Sequence, residues 1–456
     1  MSRAKAMEVM DEKRMYNVTI EGPASRPQST ASSALVVGSS DLYENGRMRL
    51  IPAPTPDPHD PLNLPNWRKI IALASICFFG ALALSAETII GALIPVFALE
   101  YAGIDPKILN EFEPADLSPG VVNLNPLSLL NGLGGPPLWQ ITLLASLPLL
   151  TNGISSYFLV PLSISIGRRP VLLICGVMAW TGGFWAGLSQ SLPSHIAARC
   201  FQAIGAGAVE ALIPLTVQDI VFIHQRNRAM SSIWSTQGLI IVSLGIGSPV
   251  IVATTGWRSL YFITSALSIV AWLGIFFSVP ETRWKRSAEE LSGKSEYYIF
   301  PDENRPRPDA AVYGRRTWWT EFGIFQNGFE NKAAGQSMID TLRTMVFPNI
   351  IWAIAVNSLF VSAQGAAGQT GSAVLIASGW KFKTLGLAVL PIVFATPFVW
   401  LFGGLIADKV SNAVAKRNGG RREPEYNLLN LILPLLFGIM GLILFGYAGQ
   451  NIQTTH

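Results

Sequence analysis

The sequence predicts an all-α integral membrane protein, and three observations carry that prediction. Half of its 456 residues are apolar and only 14% are charged, against roughly 25% charged in a soluble domain. The apolar residues gather into runs of about 20, the length of helix that crosses a ~30 Å hydrocarbon core. The basic residues collect in alternate connections between those runs, the bias that orients membrane helices during insertion.

Nine spans are expected, near residues 70–98, 139–163, 171–190, 196–217, 229–252, 260–279, 345–368, 384–406 and 427–448. With the N-terminus inside, 28 of the 33 Lys and Arg residues fall in cytoplasmic segments. These are the tail, the pair Arg168 and Arg169, the pair Arg226 and Arg228, the long central connection, and Lys409, Lys416, Arg417, Arg421 and Arg422. The other five are Lys107, Arg199, Arg258, Lys381 and Lys383, in or beside external connections, and the first external loop is acidic through Glu100, Asp105, Glu111, Glu113 and Asp116. An integral membrane protein with a cytoplasmic N-terminus follows, with the plasma membrane the expected site.

Residues 1–66 hold no apolar run long enough for a signal peptide and are rich in Ser, Thr and Pro between Ser25 and Ser33, so they read as a disordered cytoplasmic tail. Residues 67–280 form a six-span bundle, 281–344 a polar, basic cytoplasmic linker, and 345–456 a partial bundle of three spans. Within the linker, Trp318, Trp319, Phe322 and Phe325 fit a short amphipathic helix on the inner leaflet or a packed surface helix.

The net charge of +4 is small for the length and implies no nucleic-acid partner. Cys77, Cys175 and Cys200 all fall in apolar runs and read as buried thiols. No cofactor or metal is expected. The chain has no HExxH or GxSxG pattern and all four His residues lie outside the expected spans, so an enzyme is not indicated.

Inside the expected spans the ionisable side chains are Glu87, Arg199 and Glu210. A charge at the bilayer centre costs about 3 kcal/mol on insertion scales, so each should face protein or water. Arg199 and Glu210 are eleven residues apart on the fourth span, three turns plus about 20°, which puts them on one face about 16 Å apart with Gln202 near the same stripe. Such a stripe fits either a wet cavity, or an Arg that snorkels outward and a Glu bonded to a neighbouring helix. Glu87 is flanked on its own face by Gly80, Ala83 and Gly91, which allow close helix packing or an open lumen. A carboxyl group in such surroundings can take up and release a proton at physiological pH and so couple proton flow to transport; the alternative is a static interhelical hydrogen bond. Asn357 and Gln364, seven residues apart on the seventh span, either line the same cavity or glue helices together.

Several local patterns resemble the major facilitator superfamily, and the tail motifs Asp57-Pro58, Asp60-Pro61-Leu62-Asn63 and Pro65-Asn66-Trp67 resemble its fungal drug:proton antiporter-like members. The family signature after the second span, G-x-x-x-D-R-x-G-R-R, aligns with Val160 to Arg169: Gly167, Arg168 and Arg169 match, while Val160, Ile164 and Ser165 replace Gly, Asp and a basic residue. A second copy begins at Gly404-Leu405-Ile406-Ala407-Asp408. Arg199, Gln202, Gly205 and Gly207 resemble the R-x-x-Q-G signature, with Ala203 and Ile204 intervening, and Pro280-Glu281-Thr282 matches the ending of the sixth span. On the fifth span Ser248-Pro249 keeps the proline of the exporter motif, with Val252 and Ala253 where two glycines belong.

The resemblance implies two similar halves that rock about a midplane cavity. It implies a cytoplasmic gate formed by Gly167, Arg168, Arg169, Asp219, Arg226, Arg228, Gly404 and Asp408, and a helix kink at Pro249. The family has twelve spans, so the chain reads as truncated after the ninth. The function expected is proton-coupled export or exchange of a small organic solute. Glu87 and Glu210 are then protonation or cation-contact sites, Arg199 their positive partner, and Gln202, Asn357 and Gln364 polar contacts. A non-transporting sensor or scaffold, or an inactive truncated transporter, is the alternative. Lipid, solute and protons are the expected partners.

Overall fold

The computed structural model describes residues 40–44, 47–111, 134–293, 305–324, 328–377 and 379–450, together with Tyr297 and Ile299. Glu113, Asp116 and Phe325 lie outside the described residues. Among the described residues nine helical segments are long and apolar enough to cross a membrane. The first six are α1 (Asn66–Tyr101), α2 (Leu138–Ile166), α3 (Arg168–Leu188), α4 (Leu192–Ile220), α5 (Arg226–Thr255) and α6 (Trp257–Ser278). Their boundaries have local causes. Pro65 and Pro137 stand just before α1 and α2, and α4 carries a proline in its first turn, where the missing N–H costs nothing. Gly167 (φ 115°) separates α2 from α3 and Gly256 (φ 90°) separates α5 from α6; both conformations favour glycine.

In the bundle α4 packs against α2 and α3, α3 against α6, and α1 against α5 and α6. The core is two apolar clusters stacked along the helix axes. One, on the side where the N-terminal segment lies, contains Ile76, Leu82, Leu172, Cys175, Val209, Ile213 and Ile275. The other, on the far side, contains Ile90, Phe97, Leu144, Ala186, Ala198, Trp257 and Leu260. Between the clusters each of five helices contributes a polar or small residue: Glu87 from α1, Asn152 from α2, Gly182 and Gly183 from α3, Arg199 and Gln202 from α4, and Ser265 from α6.

After the linker, α7 (Asn331–Thr344) lies along α2, whose Tyr157 hydroxyl donates to Met338 O at 3.2 Å. Helix α8 (Pro348–Ala377) packs on α1. The eighth span, expected as one helix over 384–406, is broken into a 3-10 turn (Phe382–Val389), α9 (Pro391–Trp400), a π turn (Leu401–Ile406) and α10 (Ala407–Arg417). Pro391 starts α9 and cannot continue the turn before it, Pro397 removes a hydrogen bond inside α9, and the π turn holds Gly403 and Gly404. A last helix, α11 (Ile432–Gln450), touches α8.

Two expectations are corrected. The tail expected to be disordered through residue 66 is packed over much of its described part: Leu42, Ile51 and Leu62 are buried. Asp60 is fully buried and paired with Arg286 of the linker at 2.7 Å, and Leu42 clusters with Ala415, so the tail is held by partners more than 200 residues away. His195, placed outside the spans, lies in the first turns of α4, because that helix starts at Leu192.

Candidate functional site

The layer between the two apolar clusters holds the ionisable groups. Asn152 Nδ2 donates to Glu87 Oε1 at 3.0 Å and to Oε2 at 3.3 Å. Arg199 and Glu210 are its electrostatic neighbours on α4. Arg199 is only 1% exposed; its Nη1 donates to Gln202 Oε1 at 2.6 Å, while Nε and Nη2 are buried without partners. Among the described residues no carboxylate lies within salt-bridge distance of it.

The expected polar stripe along α4 divides in two. Arg199 and Gln202 turn into the bundle, whereas Glu210 is exposed. The cause is α3, whose backbone closes over Gln202: a Cβ on Gly182 would lie 2.8 Å from Gln202 Cα. Gly183 is equally confined, its Cβ position being 2.3 Å from Ser265 Oγ and 3.2 Å from Gln202 Nε2. Gly205 meets the Cys175 carbonyl and Gly207 meets Ser155 Oγ at similarly short range, so these glycines bring α4 against α3 and α2.

Asn357 and Gln364 are exposed on α8 and are not bonded to the Glu87 group. Their level is informative. Gly91 of α1 faces Gly368 of α8, its Cβ position 2.5 Å from Gly368 O, and Ser372 Oγ donates to Gly91 O at 3.2 Å. Glu87 is one turn before Gly91 and Gln364 one turn before Gly368, so the two stand level across the α1–α8 contact.

On the tail-side face the expected gate residues split into two groups. Gly167 turns the chain so that the main-chain N–H groups of Arg168 and Arg169 donate to Glu281 at 2.9 and 3.3 Å. A Cβ on Gly167 would lie 2.3 Å from Glu281 Oε2. The carboxylate of the Pro280-Glu281-Thr282 ending thus caps α3, a negative charge at a helix N-terminus. Arg169 is fully buried, donates through Nη2 to Phe276 O at 2.8 Å, bonds Val279 O through Nη1, and lies over the Phe322 ring at 5.0 Å. Asp219, one of the residues expected at the gate, pairs with Arg168 at 3.3 Å and accepts from Thr282 Oγ1 at 3.3 Å. Arg226 Nε is buried without a partner.

The second group joins the halves. Asp408 Oδ2 accepts the main-chain N–H of Arg228 at 3.0 Å, and Gly404 packs on Ser231, its Cβ position 3.1 Å from Ser231 Cβ. Farther along α5, Pro249 leaves the Gly245 carbonyl without its helical donor; Ser248 Oγ takes it at 3.1 Å. Gly386 approaches the same carbonyl, its Cβ position at 2.6 Å, so the proline marks where the second half meets α5.

Residues that the sequence reading missed include Asn152 and Ser265, and Glu281 was noted in its motif without its role at the start of α3. Asn152 was findable as a lone amide in mid-span, as were Asn357 and Gln364. His195 also belongs here: it is fully buried, with Tyr101 Oη 3.0 Å from Nδ1 and Tyr261 Oη 2.8 Å from Nε2, and it stacks on Trp257 at 5.1 Å. Two hydroxyl partners satisfy a neutral imidazole completely. Cys77 and Cys175 are buried, while Cys200 is half-buried.

The model of the Major Facilitator Superfamily matches residues 76–452. An MFS-type transporter of Schizosaccharomyces pombe is 21% identical, the match covering 89% of this chain and 72% of the relative. Protein HOL1 of Saccharomyces cerevisiae is 24% identical over 87% of this chain and 72% of its own. Among solved structures, the partially occluded inward-open form of the xylose transporter XylE from E. coli is 14% identical, covering 84% of this chain and 88% of that one with a TM-score of 0.43. The family match spans helices from α1 to α11 alike, and the chain belongs to the Major Facilitator Superfamily of membrane transporters.

Proposed function

We propose that the protein moves a small organic solute across the membrane by alternating access, coupled to protons and working in export or exchange. The observation that carries this reading is the Glu87 carboxyl group, held by Asn152 between two apolar clusters with Arg199 and Glu210 as its charged neighbours. A proton-exchanging acid at mid-depth, beside a fixed cation, is what coupling requires. In this reading Glu210 is a second protonation or cation-contact site, and Gln202, Asn357 and Gln364 offer polar contacts. Gln364 stands level with Glu87 from the other half.

The N-terminus and the Gly167 face are assigned to the cytoplasm of a plasma-membrane protein, on the strength of the basic residues clustered there. The contact of Arg228 with Asp408, which joins the halves, is the inner gate that separates when that face opens, and the pair of Arg168 with Asp219 braces the first half beside it. Pro249 lets α5 bend where the second half bears on it.

Glu87→Gln tests the proposal. The variant keeps its bonding partner and shape, so it should insert and fold. In proteoliposomes its solute flux should lose dependence on external pH. An unchanged flux with an unchanged pH profile would remove Glu87 from the coupling role.

A further inference from the structure

On the tail-side face one segment grips both halves. Its first part belongs to the second half: Ser40 and Asp41 pair antiparallel with Arg422 and Arg421, and the N–H groups of Leu42 and Tyr43 donate to Gly420 O at 2.8 and 3.3 Å. Gly420 (φ +90°) leaves the space for this, since a Cβ there would lie 2.6 Å from Tyr43 O. Leu42 is fully buried and clusters with Ile51 and with Ala415 of α10, with Met48 and Ile223 packed around them.

The second part belongs to the first half. Ile51 O accepts the N–H of Ile223, in the turn between α4 and α5, at 2.8 Å, and Arg422 Nη1 donates to the carbonyl of the same Ile223 at 2.9 Å. Farther on, Ala53 N–H donates to Glu290 O at 2.8 Å and Asp60 pairs with Arg286. The direct contacts of α5 with the second half on this side are the N–H of Arg228 to Asp408, Asn227 to Asn427 at 3.1 Å, Trp400 Nε1 to Ser232 Oγ at 3.0 Å, and the packing of Ser231 on Gly404.

We infer that residues 40–44 and 47–53 act as a strap that fastens the tail-side ends of α5 and α10 to each other, so that this face opens only when the Leu42 end lets go of Ala415 and Gly420. The inference rests on the alternating-access reading. A transporter strapped in this way is held closed at one face by its own N-terminal segment, and anything that competes for the Leu42 site raises the share of the open form.

The test uses the full chain in liposomes, with the three native cysteines replaced and Ser231→Cys as the reporter, because Ser231 is covered by Gly403 and Gly404. Labelling by a membrane-impermeant maleimide delivered to the tail side is timed. Leu42→Asp should speed it by at least about tenfold, the shift expected when one fully buried leucine contact is lost from the closed form alone. Gly420→Val, which breaks the same pairing from the other half, should do likewise and decides the matter if Leu42→Asp fails to fold. Asp408→Ala opens the direct contact and serves as the reference. If it speeds labelling and both strap variants leave the rate unchanged, the strap is overturned and the rocking motion stands. If none of the three changes the rate, the rocking motion at this face is overturned with it.

Discussion

Replacing Gly183 by alanine probes how tightly the polar layer is built. The added Cβ would stand 2.3 Å from Ser265 Oγ, short of the 3.4 Å floor of ordinary contact by 1.1 Å, and 3.2 Å from Gln202 Nε2. Neither neighbour moves freely, because Ser265 is on a packed face of α6 and Gln202 holds Arg199. Overpacking of this kind costs about 1–3 kcal/mol. For a bundle of this size each kcal/mol lowers the melting temperature by about 2–4 °C, so Gly183→Ala should lose about 2–12 °C in detergent.

A fluorogenic thiol dye that reports exposure of the buried Cys77 and Cys175 follows the transition. Ser265 Oγ is buried without a partner, so Ser265→Ala alone should change stability by less than about 1 kcal/mol. In the double variant the new Cβ meets Ser265 Cβ at 3.5 Å, and most of the loss should be recovered. The coupling between the two sites should then reach about 1–2 kcal/mol. Equal losses on the serine and alanine backgrounds would refute the assignment of the clash and, with it, the close approach of α3 to α6 at this level.

Gly167→Ala forces a positive φ on a residue with a side chain and pushes Glu281 from the start of α3; a loss of at least about 1–3 kcal/mol is expected in the same melting assay, and Glu281→Ala should account for only part of it. Asp60→Ala leaves Arg286 buried without its carboxylate, at about 3–5 kcal/mol, and should be read as faster proteolysis of the N-terminal segment with the spans intact.

Sequence by itself determined that lipid surrounds most of this chain, which segments are long and apolar enough to cross it, and where the ionic groups lie along them. Hydropathy and charge bias are local sums, and a helix of about 20 residues adds them up without needing a neighbour. It also marked Glu87 and Arg199, because a charge within an apolar run is conspicuous wherever the run ends up. What it left open were the partners. Glu87 meets Asn152 across 65 residues, Glu281 caps a helix more than 110 residues earlier, and Leu42 packs on Ala415. Those pairings depend on how each helix is rotated about its own axis and on which glycines let two backbones close up. The same cause turned Arg199 inward and left Glu210 exposed on one helix, although their spacing put them on one stripe. Rotation and closure are settled by the packing of all the helices together, so only the tertiary structure decided them.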